Sequence, residues 1–441
     1  MSTSENTLLS SGNAQVIALA KMISETADKI IKEYTAAGSS IPLLDSTDTG
    51  PFDSPSNIPS GLGRDLQIME AACAQLNIMV NSPAHIIATY EEPACLQLVT
   101  RAKIADFLLD KPEGLHVTEI ADKTSLDSGK VGRILRLLAT KHCFKEVKPD
   151  VFANNRLSLQ LVSTNPVSGL VGHLTDEVFK AGAHLSETLQ DPKSGLLHSP
   201  EGAPFNKAHG VALFDFYETR LAQAMVGWGA VTGKSRISKA YPWDSVPQNS
   251  VICDIGGGNG HVSRELAKNF SNIRVIIQDI PTVITQAKQY WNEEYPEAVQ
   301  EQRVEFIPID FFKDTPAPGC QFYYLRHVLH DWPNAECIKI LTNIRKVMTP
   351  TSRLLIDELV LQHAVRDQSI RENIDQAPEP LLANYGMGRL RLYEQDLNMM
   401  IIFNSKERTL QEFINLGEQT GFKYEKVWDA GTTGIIEFSI I

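Results

Sequence analysis

The chain has 441 residues, 43% hydrophobic and 21% charged, the composition of a soluble globular protein with room for two or three domains. Its formal charge of −12 argues against coating nucleic acid and against docking on an anionic membrane surface. Six cysteines, scattered without a CxxC pair, suggest neither a zinc site nor a disulfide framework, and a reducing compartment is expected.

The opening MSTSENTLLSSGN is polar and lacks a basic region followed by an apolar one, and no apolar run reaches the ~20 residues that span a bilayer. A cytosolic protein with no membrane partner and no metal is expected. Residues 14–34 place Val16, Leu19, Ile23, Ala27 and Ile30 on one helical stripe. The proline- and glycine-dense PLLDSTDTGPFDSPSNIPSGLG then reads as a linker or extended loop, and helical periodicity resumes over residues 64–110.

Residues 115–158 predict a short helix at 117–123, a second at 128–141, and strands at 144–147 and 151–153 about a Lys-Pro-Asp turn. Together they resemble a winged helix-turn-helix. Lys130, Arg133 and Arg136 could meet phosphates there. The plainer reading is a packing and dimerisation module with solvated cations, since Glu113, Glu119, Asp122, Asp127 and Asp150 dilute the basic patch.

From about residue 243 the pattern turns α/β. VICDIG, VIIQDI, VEFIPID, FYYLRHVL and RLLIDELVL alternate with helical segments such as HVSRELAKNF, which predicts a doubly wound, mainly parallel sheet. Ligands in such sheets sit at the carboxyl ends of the strands. The first strand-to-helix turn is Asp254-Ile255-Gly256-Gly257-Gly258-Asn259-Gly260. Its glycines let the backbone approach a ligand closely. The spacing is not GxGxxG, and no helix-borne Lys-Ser/Thr follows to hold nucleotide phosphates. The second strand ends at Asp279, placed to accept hydrogen bonds from ribose hydroxyls. The third ends before Asp310 and Phe311, which could hold an adenine edge and cover its face. Alone, each acidic residue would read as a cap or turn.

The motifs DIGGGNG, QDIP, IDFF, HDW, IDE and NSKERT, in this order, resemble the class I S-adenosylmethionine (SAM)-dependent O-methyltransferases of the plant and fungal small-molecule type, in particular fungal natural-product enzymes. The likeness covers roughly residues 65–441. It implies a C-terminal Rossmann-like catalytic domain and an N-terminal α-helical winged-helix domain that makes a homodimer. The boundaries expected are 1–63 for a helix and linker, 64–200 for dimerisation and 201–441 for catalysis. It also implies SAM contacts at Gly256, Gly257, Asp279, Asp310, Phe311 and Arg326, a proton acceptor at His330, and supporting carboxylates at Glu358 and Glu407. Arg326 departs from the lysine common in plant relatives but keeps the cation. The segment 362–398 is longer than in plant relatives, and the first 60 residues lie outside their pattern.

Two histidines share YYLRHVLHDW. His330 falls at the strand tip and His327 three residues back, on the opposite pleat face if the strand stays regular, so His327 reads as structural. A phenol near pKa 10 and an imidazolium near 6.5 differ by about 3.5 units, or roughly 5 kcal/mol. Full proton transfer before methylation would therefore be uphill, and the histidine is expected to take the proton as the oxygen attacks the methyl sulfonium. Glu358 or Glu407 could fix the other ring nitrogen, although Glu407-Arg408 also reads as a helix start with a local ion pair. Relatives that run pericyclic or dehydration steps without consuming SAM tend to replace this histidine, and it is intact here. Phe214, Phe216, Tyr217, Met225, Met399, Met400 and Phe403 suit a flat aromatic or polyketide-like substrate, and equally a core.

Overall fold

The computed structural model describes residues 11–81, 92–216, 237–366 and 375–441. The chain forms two compact units: one from Met1–Asp191, Pro204–Gly233 and Ala377–Arg389, the other from Pro192–Ala203, Lys234–Gln376 and Leu390–Ile441.

The first unit begins with α1 (Gly12–Ala36), whose first turn is capped by the Ser11 hydroxyl, and α2 (Ser60–Val80). Leu19 of α1 and Ile68, Ala71 and Ala72 of α2 share a core with Ala377, Leu381 and Tyr385. Part of the long segment after Gln362 thus belongs to the N-terminal core. A Cβ on Gly388 would lie 2.2 Å from the Gln67 carbonyl oxygen, so only glycine lets this segment rest on α2. Arg389 Nε donates to Gln67 Oε1 at 3.0 Å, and Gln75 Nε2 donates to the Pro380 carbonyl at 3.1 Å.

Next come β1 (Leu115–His116), α3 (Val117–Thr124), α4 (Ser128–Thr140), β2 (Lys145–Lys148) and β3 (Val151–Ala153), with the strands in the antiparallel order β1-β3-β2. A capping box between His116 and Glu119 starts α3, and the Asp127 carboxylate caps α4. Val117, Ile120, Val131, Leu135, Phe144 and Phe152 fill the core beneath. Arg136 is held 2.6 Å from Asp150 and 3.6 Å from Glu146, so its charge is answered within the fold.

The second unit is built on a seven-stranded sheet. In chain order it contains β4 (Ser250–Ile255), α5 (His261–Asn269), β5 (Ile273–Asp279), α6 (Pro281–Glu294), β6 (Val304–Pro308), β7 (Phe322–Arg326), α7 (Asn334–Arg345) and β8 (Arg353–Glu358). There follow β9 (Val360–Leu361), α8 (Leu390–Phe403), β10 (Arg408–Thr409), α9 (Leu410–Gln419), β11 (Phe422–Asp429) and β12 (Gly434–Ile440). The sheet order is β11-β12-β8-β7-β4-β5-β6, parallel from β8 to β6, with β12 and β11 antiparallel at the far edge. Period-two alternation divides the central strands between two cores. Cys253, Ile255, Tyr323, Leu325, Leu354 and Ile356 face one, while Ile252, Val275, Ile277, Phe322, Tyr324 and Leu355 face the other. Burial on both faces explains why these strands read as continuous apolar runs.

The order reverses between β4 and β7, and in sheets of this kind ligands bind outside the carboxyl ends of the strands at such a switch point. A separate two-stranded parallel ladder pairs Arg408 with Val360 and Thr409 with Leu361. It brings Glu407 beside the end of β8, where Glu358 sits. Among the described residues, no helix is long and apolar enough to cross a membrane.

Candidate active site

Beyond β4 the chain enters the glycine turn, with Gly256, Gly258 and Gly260 at φ +70°, +59° and +73°. A Cβ on Gly256 would stand 2.8 Å from Val328 Cγ2, and one on Gly257 2.7 Å from Asp254 Cγ. Gly258 instead faces open space. Asp279, ending β5, accepts from the Gly258 N–H at 2.9 Å and the Ile280 N–H at 2.7 Å. Each of its oxygens keeps a lone pair for a ligand hydroxyl. Burial pushes its pKa above the usual carboxylate value.

Asp310 is engaged differently. Its Oδ1 accepts from the Phe312 N–H, and its Oδ2 pairs with Lys313 Nζ at 2.6 Å, which holds its pKa below the ordinary value. The plain reading of an acidic residue after a strand, a turn cap, describes this carboxylate. Phe311 Cε1 lies 3.8 Å from where a Gly256 Cβ would be, and its ring meets Phe312 and Trp332 edge-on. Arg326 ends β7 with a side chain only 12% exposed, its Nε 3.4 Å from Asp357 Oδ2 and without a hydrogen bond.

Here the strand stops, which corrects the expectation for His327. This residue takes φ +51°, and Leu329–Asp331 follows as a 3₁₀ turn. The pleat alternation ends at Arg326, so His327 is not on the opposite face. Its ring stacks on that of His330, centroids 5.2 Å apart and planes 23° apart.

His330 is buried, and its Nδ1 lies 2.8 Å from Glu407 Oε1. Glu358 Oε1 accepts from the main-chain N–H groups of Val328 and Leu329 at 3.0 and 2.9 Å, so this carboxylate shapes the turn that carries the imidazole. Of the two glutamates, Glu407 holds the ring and Glu358 holds the backbone beneath it. Glu407 does not open a helix. The cap of α9 is Thr409, in a capping box with Glu412.

Arg408, which the sequence offered only as half of a local ion pair with Glu407, is fully buried. It donates to the carbonyls of Leu329 and Trp332, both at 2.7 Å, and to Asn334 Oδ1 at 2.9 and 3.1 Å. The carbonyls of Leu329 and Trp332 flank His330-Asp331, so residues 407 and 408 grip one turn by its ring and by its main chain. The only signal in the sequence was the adjacency of an arginine to the NSKERT glutamate.

Burial alone would favour a neutral His330 ring, but Glu407, Glu358 and Asp331 outweigh it and push the pKa up to about 10. Burial, then Arg326, drives His327 well below the ordinary value, so that ring is neutral. Burial also raises Asp331, to about 7. The expected gap of 3.5 units between imidazolium and phenol therefore closes. Transfer from a phenolic oxygen near pKa 10 to a neutral His330 is then nearly level, but at pH 7 the free ring carries both protons, and shedding one before it can accept costs about 4 kcal/mol.

Of the aromatic and methionine candidates, Met399 and Phe403 are buried on α8, Met400 is half-buried and Phe216 is exposed. Tyr217, Met225 and the side chain of Phe214 lie outside the described residues.

A family model described as an O-methyltransferase domain matches residues 183–423, and one described as an O-methyltransferase dimerisation domain matches residues 84–164. The chain is 47% identical over 437 residues to 3-O-methyltransferase 2 of Phanerochaete chrysosporium, covering 97% of this chain and 98% of that protein. Among solved structures, the mitomycin 7-O-methyltransferase MmcR aligns with TM-score 0.65 at 23% identity, covering 84% of this chain and 99% of that one. A structure described as a pericyclic reaction enzyme aligns with TM-score 0.67 at 19% identity, covering 86% and 95%. Both share the fold.

Proposed function

The chain belongs to the SAM-dependent O-methyltransferases, and we propose that it methylates a phenolic or enolic hydroxyl of a flat, aromatic or polyketide-like secondary metabolite, with His330 as proton acceptor. The observation that carries this reading is the 2.8 Å contact between His330 Nδ1 and Glu407 Oε1. It commits Nδ1 to the carboxylate and leaves Nε2 for a substrate hydroxyl. The relative at 47% identity is named for methylation at a 3-oxygen, which supports an oxygen as the methyl acceptor.

The residues at the carboxyl ends of β4 to β7 fit SAM. Gly258 leaves open space where any side chain would stand, Asp279 has lone pairs for ribose hydroxyls, and Arg326 keeps a buried, unbonded Nε. In this reading Gly256, Gly257, Asp279, Asp310, Phe311 and Arg326 hold the cofactor. SAM supplies an electrophilic methyl group on a sulfonium. His330 orients the hydroxyl, takes its proton as the oxygen attacks, and passes it to solvent once product leaves. Glu407 stabilises the imidazolium, and Glu358 and Arg408 keep the turn in place.

Residues 64–200 would carry dimerisation, 201–441 catalysis, and 1–63 a helix and linker, in a homodimer. The dimerisation-domain match supports that assembly, and a monomeric mass by light scattering would exclude it. The test of function is incubation with SAM and a panel of phenolic and enolic aromatics. A product heavier by one CH₂, with S-adenosylhomocysteine in equal amount, is expected. Turnover only of a carboxylate or an amine would refute the reading.

A further inference from the structure

We propose that His327, His330 and Glu358 form a zinc(II) site whose occupation blocks methyl transfer. The blocking half rests on His330 being the proton acceptor; the site itself does not.

With Glu358 Oε1 fixed by the Val328 and Leu329 N–H groups, Oε2 points between the two imidazoles. It lies 3.6 Å from His327 Nδ1 and 3.7 Å from His330 Nδ1. Donor atoms of the three residues all fall within 4.8 Å of one another. Glu358 Oε2 and both ring nitrogens of His327 are buried and make no hydrogen bond. Such orphaned groups are uncommon in a folded core and call for an explanation.

The separations themselves are informative. At 3.6 Å the atoms are too far apart for a good hydrogen bond, yet a bridging water about 2.8 Å from each partner at a near-tetrahedral angle sets them about 4.6 Å apart. A tetrahedral zinc ion with bonds of about 2.1 Å sets neighbouring donors about 3.4 Å apart. Closing the two carboxylate–imidazole distances by a few tenths of an ångström, and the two imidazole nitrogens from within 4.8 Å, completes three of its four positions. Two imidazoles and one carboxylate suit zinc, whereas magnesium and calcium take oxygen ligands. The left-handed backbone at His327 is what places its ring over His330, where a regular strand would have turned it away.

Binding has a chemical consequence. A neutral imidazole carries one N–H. In that form, zinc on His330 Nδ1 displaces the contact with Glu407 and the single proton held there, which moves through solvent to Nε2 with no net release from the ring. That nitrogen then has no lone pair for a substrate proton. Zinc is thus an inhibitor that competes with the Glu407 hydrogen bond.

The experiment uses the full-length protein freed of metal with a chelator, which is then removed. Zinc chloride is titrated calorimetrically against native protein and His327→Asn. Asparagine tolerates the left-handed backbone, and SAM binding as tight as native certifies the variant's fold. Loss of a supporting partner of a metal ligand weakens affinity about 10–100-fold, so losing His327 itself should weaken zinc by at least ~100-fold. Turnover should fall with zinc occupancy and return with chelator. Cobalt(II) in place of zinc should show a spectrum of nitrogen and oxygen ligation without sulfur charge transfer. Equal zinc affinity in His327→Asn, or a thiolate band with cobalt, overturns the site. His327-dependent zinc binding that leaves turnover untouched upholds the site and overturns His330 as acceptor.

Discussion

Arg408 donates a 2.7 Å hydrogen bond to the carbonyl of Leu329, the residue before His330. A second of equal length goes to the carbonyl of Trp332. No carboxylate is hydrogen-bonded to this buried guanidinium among the described residues, so its charge-assisted bonds go to the backbone of the turn that carries His330 and to Asn334. A lysine cannot reproduce that fork. Arg408→Lys should leave at least one buried carbonyl unpaired and lower stability by ~1–3 kcal/mol. Turnover should fall by ~10–100-fold, as expected when a catalytic group is displaced by a fraction of an ångström, with SAM affinity unchanged. Guanidinium ion should restore part of the turnover of Arg408→Ala at concentrations that leave native enzyme unaffected. Native kcat in Arg408→Lys would show that the turn needs no such clamp.

Asp279 tests the cofactor side. Its carboxylate already holds the glycine turn through the Gly258 and Ile280 N–H groups, so the alanine variant loses a ligand contact and a support together. Asp279→Ala should weaken SAM by ~1.5–3 kcal/mol, the range for a hydrogen bond to a charged group, in calorimetric titration. NADH binding in place of SAM would show that the glycine turn serves another cofactor.

The strand ends were legible because each combines an apolar run with an abrupt polar or glycine residue, and a parallel sheet brings such ends together. The glycine turn and Asp279 could be placed on that logic, whereas Arg326 and Glu358 came only with the family resemblance. The geometry of His327 could not, because the pleat rule assumes a strand that continues, and nothing in RHVLH announces a left-handed residue. Nor could the division of work between Glu358 and Glu407, which depends on the short β9–β10 ladder and on which oxygen meets which N–H. The docking of residues 377–389 onto α1 and α2 depends on contacts more than 300 positions apart, such as Gln75 with Pro380, to which local periodicity is blind.

Asp254 gives a pH signature of the glycine turn. It is buried with the Ser263 hydroxyl at 2.6 Å, and burial raises its pKa to about 6. The unfolded chain ionises this group near pH 4, so between pH 4 and 6 the folded state binds more protons and stability falls as pH rises. Above pH 6 the penalty is constant, at about 3 kcal/mol for a shift of about 2 units. Asp254→Asn lacks that ionisation and can still accept from Ser263. Its stability relative to native should rise by up to ~3 kcal/mol from pH 4 to pH 7, read from denaturation midpoints. Parallel pH profiles for the two proteins would refute a buried ionisation here.

His330 is the test of the proposed chemistry. Its ring is hydrogen-bonded to Glu407 rather than to the glycine turn or Asp279, so His330→Ala should fold and bind SAM nearly as the native protein does. Turnover should fall by ~10²–10⁴, the usual contribution of a positioned acid–base group. The deficit should narrow at alkaline pH, because a phenolic substrate ionises near pH 10 without help, and it should narrow sooner for a more acidic phenol or enol. His330→Gln, which can hydrogen-bond but not accept a proton, separates the two duties: if it matches native turnover, orientation alone suffices. S-adenosylhomocysteine must accumulate in step with product throughout. Product formed at full yield without it would mean that the bound sulfonium is a structural electrophile and that the chain, despite its family, rearranges its substrate rather than methylating it.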